Sequence, residues 1–226
     1  MRKLGLLLGA LALVAAVGPN WVSSVRVQPY GAFVMGKPAA PAKLVEYLSY
    51  TCSHCAQFTA ESGVPLKLNY VAKGLATVEV RNAVRDRYDF AAALLARCGG
   101  AARFFGNSEA LFATQTVWLG KAGDFETANS ERLGKLPMND SLKAIARGVG
   151  LDAIMKARGF TPVQIDACLS DAAAQKLVVA MTNEAWSVRK ISGTPSFLIN
   201  GKTVEGPGSW ANVENGLKAA LAVTVK

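Results

Sequence analysis

Two cysteines separated by two residues, Cys52-Ser53-His54-Cys55, stand where a strand-like apolar run meets a helix-like stretch. The run is Leu44-Val45-Glu46-Tyr47-Leu48-Ser49-Tyr50, and it reads as a mostly buried strand. A cysteine at the start of the next helix meets unpaired N–H groups and the positive end of the helix dipole. Both favour thiolate over thiol. The thiolate is the form that attacks a disulfide, and Cys55 is close enough to resolve the mixed disulfide that results. This junction is a candidate site for thiol–disulfide exchange.

The remaining cysteines are Cys98 and Cys168. Four cysteines allow about three pairings. Cys52–Cys55 is the local one, which leaves Cys98 with Cys168 as a structural bridge. The alternative is two buried, unpaired thiols. The compartment bears on the choice, because disulfides persist in oxidising surroundings. Arg2 and Lys3 precede an apolar run of 14 residues, Leu4 to Val17. That is short for a membrane span and reads as a secretory signal over residues 1–18, with an uncleaved anchor as the other reading. Past residue 18 there is no second long apolar stretch. Export to the periplasm is therefore expected.

The chain has 226 residues, of which 51% are hydrophobic and 18% charged, enough for a substantial core. Without Arg2 and Lys3 the net charge is +7. The basic residues are scattered and not interleaved with aromatics, so nucleic acid is not an expected partner. The cluster Arg81, Arg85, Arg87 reads as a solvated rim.

Along the chain, 23–34 suggests a short strand or hairpin, and 43–49 the strand that leads into Cys52. A helix from Ser53 to about Ala72 is kinked or broken by Pro65. Leu75 to Val84 alternates as a strand. From Asp86 to Arg189 helical periodicity dominates, over Tyr88–Cys98, Ala101–Gln115, Ser141–Arg147, Pro162–Leu169 and Asp171–Val188. Thr161-Pro162 reads as an N-cap with proline in the first helical position. Ser196 to Ile199 is again strand-like, Asn200-Gly201 is a hairpin signal, and Lys202 to Glu205 is the return strand. Ser209 caps a last helix with Trp210, Val213, Leu217 and Leu221 on one face. The expected class is α/β. Segments 23–85 and 190–226 form one mixed sheet with flanking helices, and 86–189 is an inserted helical block.

With Cys52-Ser53-His54-Cys55, Gly193-Thr194-Pro195 about 138 residues past Cys55, Phe197-Leu198-Ile199-Asn200-Gly201 and the helical block between them, the chain resembles the DsbA family of exported thioredoxin-fold oxidoreductases. The resemblance implies a thioredoxin-like sheet with a helical insertion. It implies that Cys52 is the nucleophile, Cys55 its buried partner, and His54 a stabiliser of the Cys52 thiolate. Pro195 matches the family's cis-proline beside the cysteines. Thr194 matches the position that tunes substrate release and redox potential. Glu46 matches a buried acid that assists proton transfer from Cys55. From the residues alone Glu46 has two readings, a functional charge in an apolar strand or a glutamate that reaches solvent. The resemblance also implies unfolded exported proteins as substrates and a membrane oxidase of the DsbB type that restores the disulfide. Ser53 departs from the family's best-known Pro-His dipeptide, which leaves redox strength open.

Other chemistries fit less well. A zinc site would need a second ligand pair, and Cys98 and Cys168 have no such spacing. A c-type haem needs histidine after the second cysteine, where this chain has Ala56. No cofactor is expected, and a metal-binding chaperone is the remote alternative. Within the same fold the rival is a disulfide isomerase or reductase. About two dozen residues separate the signal from the core strand, too few for an isomerase's dimerisation domain, so a monomeric oxidase is the expectation.

Overall fold

The structure is a computed structural model that describes residues 20–224. The expected signal at 1–18 lies outside the described residues.

Ala42–Leu48 (β3), an alternating and mostly buried segment with Val45 and Tyr47 as its strong strand formers, is an inner strand of a six-stranded sheet. Alternation puts Leu44, Glu46 and Leu48 on one face, and Val45 and Tyr47 on the other. β3 pairs in parallel with Ala76–Asn82 (β4), Leu44 opposite Val78, and antiparallel with Ser196–Ile199 (β5), Glu46 opposite Phe197. Val25–Val27 (β1) and Phe33–Met35 (β2) form an antiparallel hairpin on the β4 side. Lys202–Thr203 (β6) closes the other edge. The sheet order is β1-β2-β4-β3-β5-β6. The expected return strand to Glu205 is only two residues long. Asn200 and Gly201 turn between β5 and β6 with φ of 50° and 80°, the left-handed pair that a two-residue hairpin needs.

Ser53–Leu66 (α1) follows β3, and Trp210–Thr224 (α9) closes the described chain. Both lie on the Leu44 face. Phe58, Leu66, Val213 and Leu217 are buried there with Leu44, Val78 and Phe197. Each such side chain contributes about 1.5–3 kcal/mol by leaving water. Pro65 does not break α1. The helix runs on past it and widens into a π-helical turn at Lys67–Val71.

Seven helices lie between β4 and β5: Arg87–Ala96 (α2), Phe104–Ala113 (α3), Gln115–Lys135 (α4), Met138–Val149 (α5), Leu151–Ala157 (α6), Pro162–Leu169 (α7) and Ala172–Asn183 (α8). α7 starts with a capping box in which Thr161 and Gln164 each bond the other's backbone N–H. α8 passes into a π-helical turn, Glu184–Val188, whose Ala185 and Trp186 cover the Tyr47 face of the sheet. α4 and α6 are additions to the helices read from sequence.

The Arg81 reading needs correction. Its side chain is only 15% exposed. It bonds Glu79 at 2.7 Å and Glu184 at 3.1 Å, and its guanidinium lies over the Tyr30 and Tyr47 rings. The Glu184–Val188 turn packs over this end of β4 and withdraws Arg81 from the rim. Arg87 pairs with Glu126 of α4, and of the three only Arg85 is exposed.

Cys98, just past α2, is joined to Cys168 of α7 as a disulfide with Cα atoms 5.6 Å apart. It closes a loop of 70 residues. Replacing both cysteines by alanine is expected to lower the unfolding free energy by about 4 kcal/mol, read by urea denaturation. Unchanged denaturation would show that helix packing alone holds this block together.

Candidate active site

Cys52 is the N-cap of α1, with extended backbone at φ −95° and ψ 116°. No acidic residue occupies the first turn of α1, so no carboxylate competes for its free N–H groups. Cys52 is 5% exposed and Cys55, one turn on, is fully buried. Both are free thiols, so the structure shows the reduced pair.

The two sulfurs are tuned in opposite directions. A hydrogen bond from the Cys55 thiol is the largest influence on Cys52. The Thr194 side chain and the backbone N–H groups of Cys55 and His54 add to it, and together they outweigh burial and hold the Cys52 thiol down at about 4. Burial pushes Cys55 far above the ordinary thiol range, and the hydrogen bond to Cys52 pushes it further. One sulfur is poised as an anion and its neighbour is kept protonated.

The segment before β5 forms the other wall. The Thr194–Pro195 peptide bond is cis. The protonated Cys52 Sγ donates to the Thr194 carbonyl at 3.0 Å, and the buried Thr194 hydroxyl, bonded to no other group, is left to act on the Cys52 sulfur as a nearby dipole. A cleft of about 490 Å³ opens beside the pair. His54 and Gln57 line one side, Thr194, Pro195 and Pro207 the other. His54 is exposed on that cleft, and its backbone rather than its ring is what reaches Cys52.

Glu46 is 5% exposed, which excludes the solvent-reaching alternative. Its carboxyl lies beneath α1 in a small cavity shared with Thr59, Ser62, Lys67, Ser108 and Glu109. Oε1 has no hydrogen-bond partner, and burial pushes the carboxyl up to about 8. Thr59 also donates to the Cys55 carbonyl at 2.9 Å, so the same turn of α1 borders both groups.

The structure thus brings Cys52, Cys55, His54, Thr194 and Pro195 together, with Glu46 below them. Cys98 and Cys168 lie apart, in the helical block. Sequence reading missed a further set. Asp86, Asp89 and Gln115 grip the Ser49–Cys52 turn from the inserted helices. Asp89 carried a usable signal, being the one charge in the run Tyr88 to Ala96, as Glu46 is in the apolar part of its strand.

Among the described residues no group of three or more His, Cys, Asp or Glu side chains gathers as a metal site requires, and no helix is long and apolar enough to cross a membrane.

Two outcomes follow from these shifts. Thiolate absorbance of the reduced protein should titrate with a midpoint near pH 4, whereas an ordinary midpoint near pH 8.5 would contradict stabilisation of Cys52 by the Cys55 thiol and the helix-end N–H groups. Glu46, raised from 4.5 to about 8, favours the folded state only while protonated. Its contribution is full below about 4.5 and is lost as pH rises through about 8. Urea denaturation at about pH 5 and about pH 9 should show wild type losing several kcal/mol more than Glu46→Gln over that interval. Parallel losses would show that Glu46 is ionised at little cost.

A family profile described as "Thioredoxin" (Thioredoxin_4) matches residues 30–219. A Rickettsia bellii protein named "Putative protein-disulfide oxidoreductase" is 28% identical over 172 residues, 76% of this chain and 58% of its own length. The chain therefore spans little more than half of that relative. Among solved structures, a protein-disulfide isomerase from Novosphingobium aromaticivorans is 37% identical, with a TM-score of 0.79 over 84% of this chain and 97% of its own. Wolbachia pipientis alpha-DsbA1 is 20% identical with a TM-score of 0.67, over 85% of this chain and 92% of its own, a likeness of fold. The chain belongs to the thioredoxin family, and its fold is that of the DsbA-type proteins.

Proposed function

We propose that the chain is an exported protein-disulfide oxidoreductase that introduces disulfides into newly secreted proteins. The observation that carries this reading is the opposed tuning of the two sulfurs beside an open cleft. Cys52 is stabilised as thiolate and Cys55 as buried thiol, next to the cis Thr194–Pro195 segment. A stable thiolate favours the reduced pair over its disulfide, so the disulfide form tends to oxidise other thiols.

In the oxidised enzyme a substrate thiolate attacks Cys52 Sγ. The Cys52–Cys55 bond breaks, the electron pair leaves on Cys55, and Cys55 takes up a proton. Glu46, close to neutral pH in its ionisation and bordered, like Cys55, by Thr59 of α1, is the proposed proton carrier for that sulfur. A second substrate thiolate then attacks the substrate sulfur of the mixed disulfide. The substrate disulfide forms, and Cys52 departs as the stabilised thiolate. Two electrons remain on the enzyme. Unfolded chains suit the cleft, which accepts an extended segment along Thr194 and Pro195. His54, which lines the cleft wall, is proposed to add to Cys52 stabilisation once a substrate covers it. A DsbB-type membrane oxidase would remove the electrons, with the enzyme acting as a monomer in the periplasm. The basic, apolar N-terminus and the Cys98–Cys168 bridge both support export.

An isomerase or reductase is the second reading, favoured by the description of the 37%-identical solved structure as a protein-disulfide isomerase.

Mixing the protein with a reduced, unfolded dithiol substrate tests the reaction. Cys52→Ser should abolish exchange. Reduced Cys55→Ala mixed instead with a disulfide-bearing substrate should accumulate a mixed disulfide at Cys52, because Cys52 displaces one substrate sulfur as a thiolate and no Cys55 is left to resolve the product, seen as a non-reducing gel shift. Retained thiol oxidation by Cys52→Ser would overturn the mechanism.

A further inference from the structure

The turn from β3 into α1 is held from outside the sheet. Ser49 Oγ donates to Asp89 Oδ2 at 2.6 Å, and the Tyr50 N–H donates to Asp89 Oδ1 at 2.7 Å. The Arg85 N–H donates to Asp89 Oδ2 at 3.0 Å, so one carboxylate joins the β3–α1 turn to the β4–α2 loop. Thr51 Oγ1 donates to Asp86 Oδ2 at 2.7 Å. Gln115 Nε2 donates to the Tyr50 and Cys52 carbonyls at 2.8 and 2.9 Å. The Tyr50 hydroxyl donates to Ser108 at 2.9 Å.

Asp89 is the centre of this arrangement and is fully buried. The charge that acts on it is Asp86, of like sign, and no lysine or arginine side chain is paired with Asp89 among the described ion pairs. Burying a carboxylate without a cation is costly, and here three donors offset that cost. Two oxygens accepting from three donors is a task that asparagine cannot do. It has one acceptor oxygen, and its NH₂ would face donors.

The anchored turn touches both reactive sulfurs. Ser49 gives its side chain to Asp89, and its backbone hydrogen-bonds the Cys55 sulfur. The Ser49 carbonyl accepts from the Cys52 N–H at 3.2 Å. A shift of the turn therefore moves Cys52 relative to the α1 N–H groups and the Thr194 wall.

We propose that Asp89 is a positioning residue for the redox pair: by clamping Ser49 and Tyr50 from α2 it fixes Cys52 against the start of α1, so the inserted helical block sets the poise of the cysteines. The proposal rests on the oxidoreductase reading for its meaning, but its test does not depend on it.

The test is thiolate absorbance against pH for reduced wild type, Asp89→Asn, Ser49→Ala and Val213→Ala. Val213 is buried on α9 and remote from the turn, and its truncation serves as a purely destabilising comparison. Asp89→Asn should raise the Cys52 midpoint by about one pH unit, tenfold in the thiol–thiolate equilibrium. Ser49→Ala, which spares the carboxylate and the fold, should shift it the same way by less. Val213→Ala should leave it in place. Unchanged midpoints in both turn variants, or an equal shift in Val213→Ala, would overturn the proposal. Should Asp89→Asn fail to fold, Ser49→Ala decides alone. A wild type that transfers no disulfides would sink the oxidoreductase reading, while the midpoints would still decide the role of Asp89.

Discussion

A negative charge on a nearly buried sulfur, stabilised among the described residues by hydrogen bonds and not by a cation, is the constraint around which this molecule is arranged. Cys52 is stabilised by dipoles: the Cys55 thiol, the Thr194 side chain and the first N–H groups of α1. Dipolar stabilisation falls off within a turn of the helix and depends on orientation. The sulfur must therefore be held closely, and three segments distant in sequence have to meet there. β3 and α1 carry the cysteines, the chain before β5 brings Thr194 and Pro195, and the inserted helices bring Asp86, Asp89 and Gln115. The sheet register with Glu46 opposite Phe197 aligns the first two of these. The third is supplied by packing of α2 and α4 against the β3–α1 turn.

Two buried carboxyls flank the pair and are treated differently. Glu46 has an unpartnered oxygen in a small, mostly apolar cavity and is pushed up to about 8 by burial. A group whose ionisation is moved close to neutral pH can take up or release a proton there, which suits proton traffic with Cys55. Asp89 has its oxygens engaged by three donors, and burial, opposed by those donors, leaves it raised to about 7. A group tied in this way suits holding geometry. The difference lies in local donors rather than depth, since both are removed from water.

Much of this was legible in the residues. The cysteine pair at a strand-to-helix junction placed the site, and Asn200-Gly201 placed the last hairpin, because both depend on short-range chemistry. Helices α4 and α6 were harder. α4 carries Gly120, Gly123 and Gly134 and has few buried side chains, Trp118, Ala122 and Leu133 among them. Its helicity is imposed by neighbours rather than by its own propensity. Pro65 was read as a kink or a break because proline removes a backbone donor; the helix is not broken, with Phe58 and Leu66 on either side of that position packed on the sheet. Arg81 was read as rim because nothing local shows that the Glu184–Val188 turn, a hundred residues on, folds over it. The partners of the Ser49–Cys52 turn were invisible for the same reason: hydrogen bonds between segments 35 to 65 residues apart leave no periodicity.

The most direct test of the central claim, that thiolate stabilisation at Cys52 makes this an oxidant, is the equilibrium reduction potential of the Cys52–Cys55 pair titrated against glutathione. Each tenfold gain in stability of the reduced form moves a two-electron potential by about 30 mV. A value near about −120 mV is expected for a pair tuned in this way. A value near about −270 mV would mean that the disulfide is the favoured state, and the chain would be a reductase or isomerase.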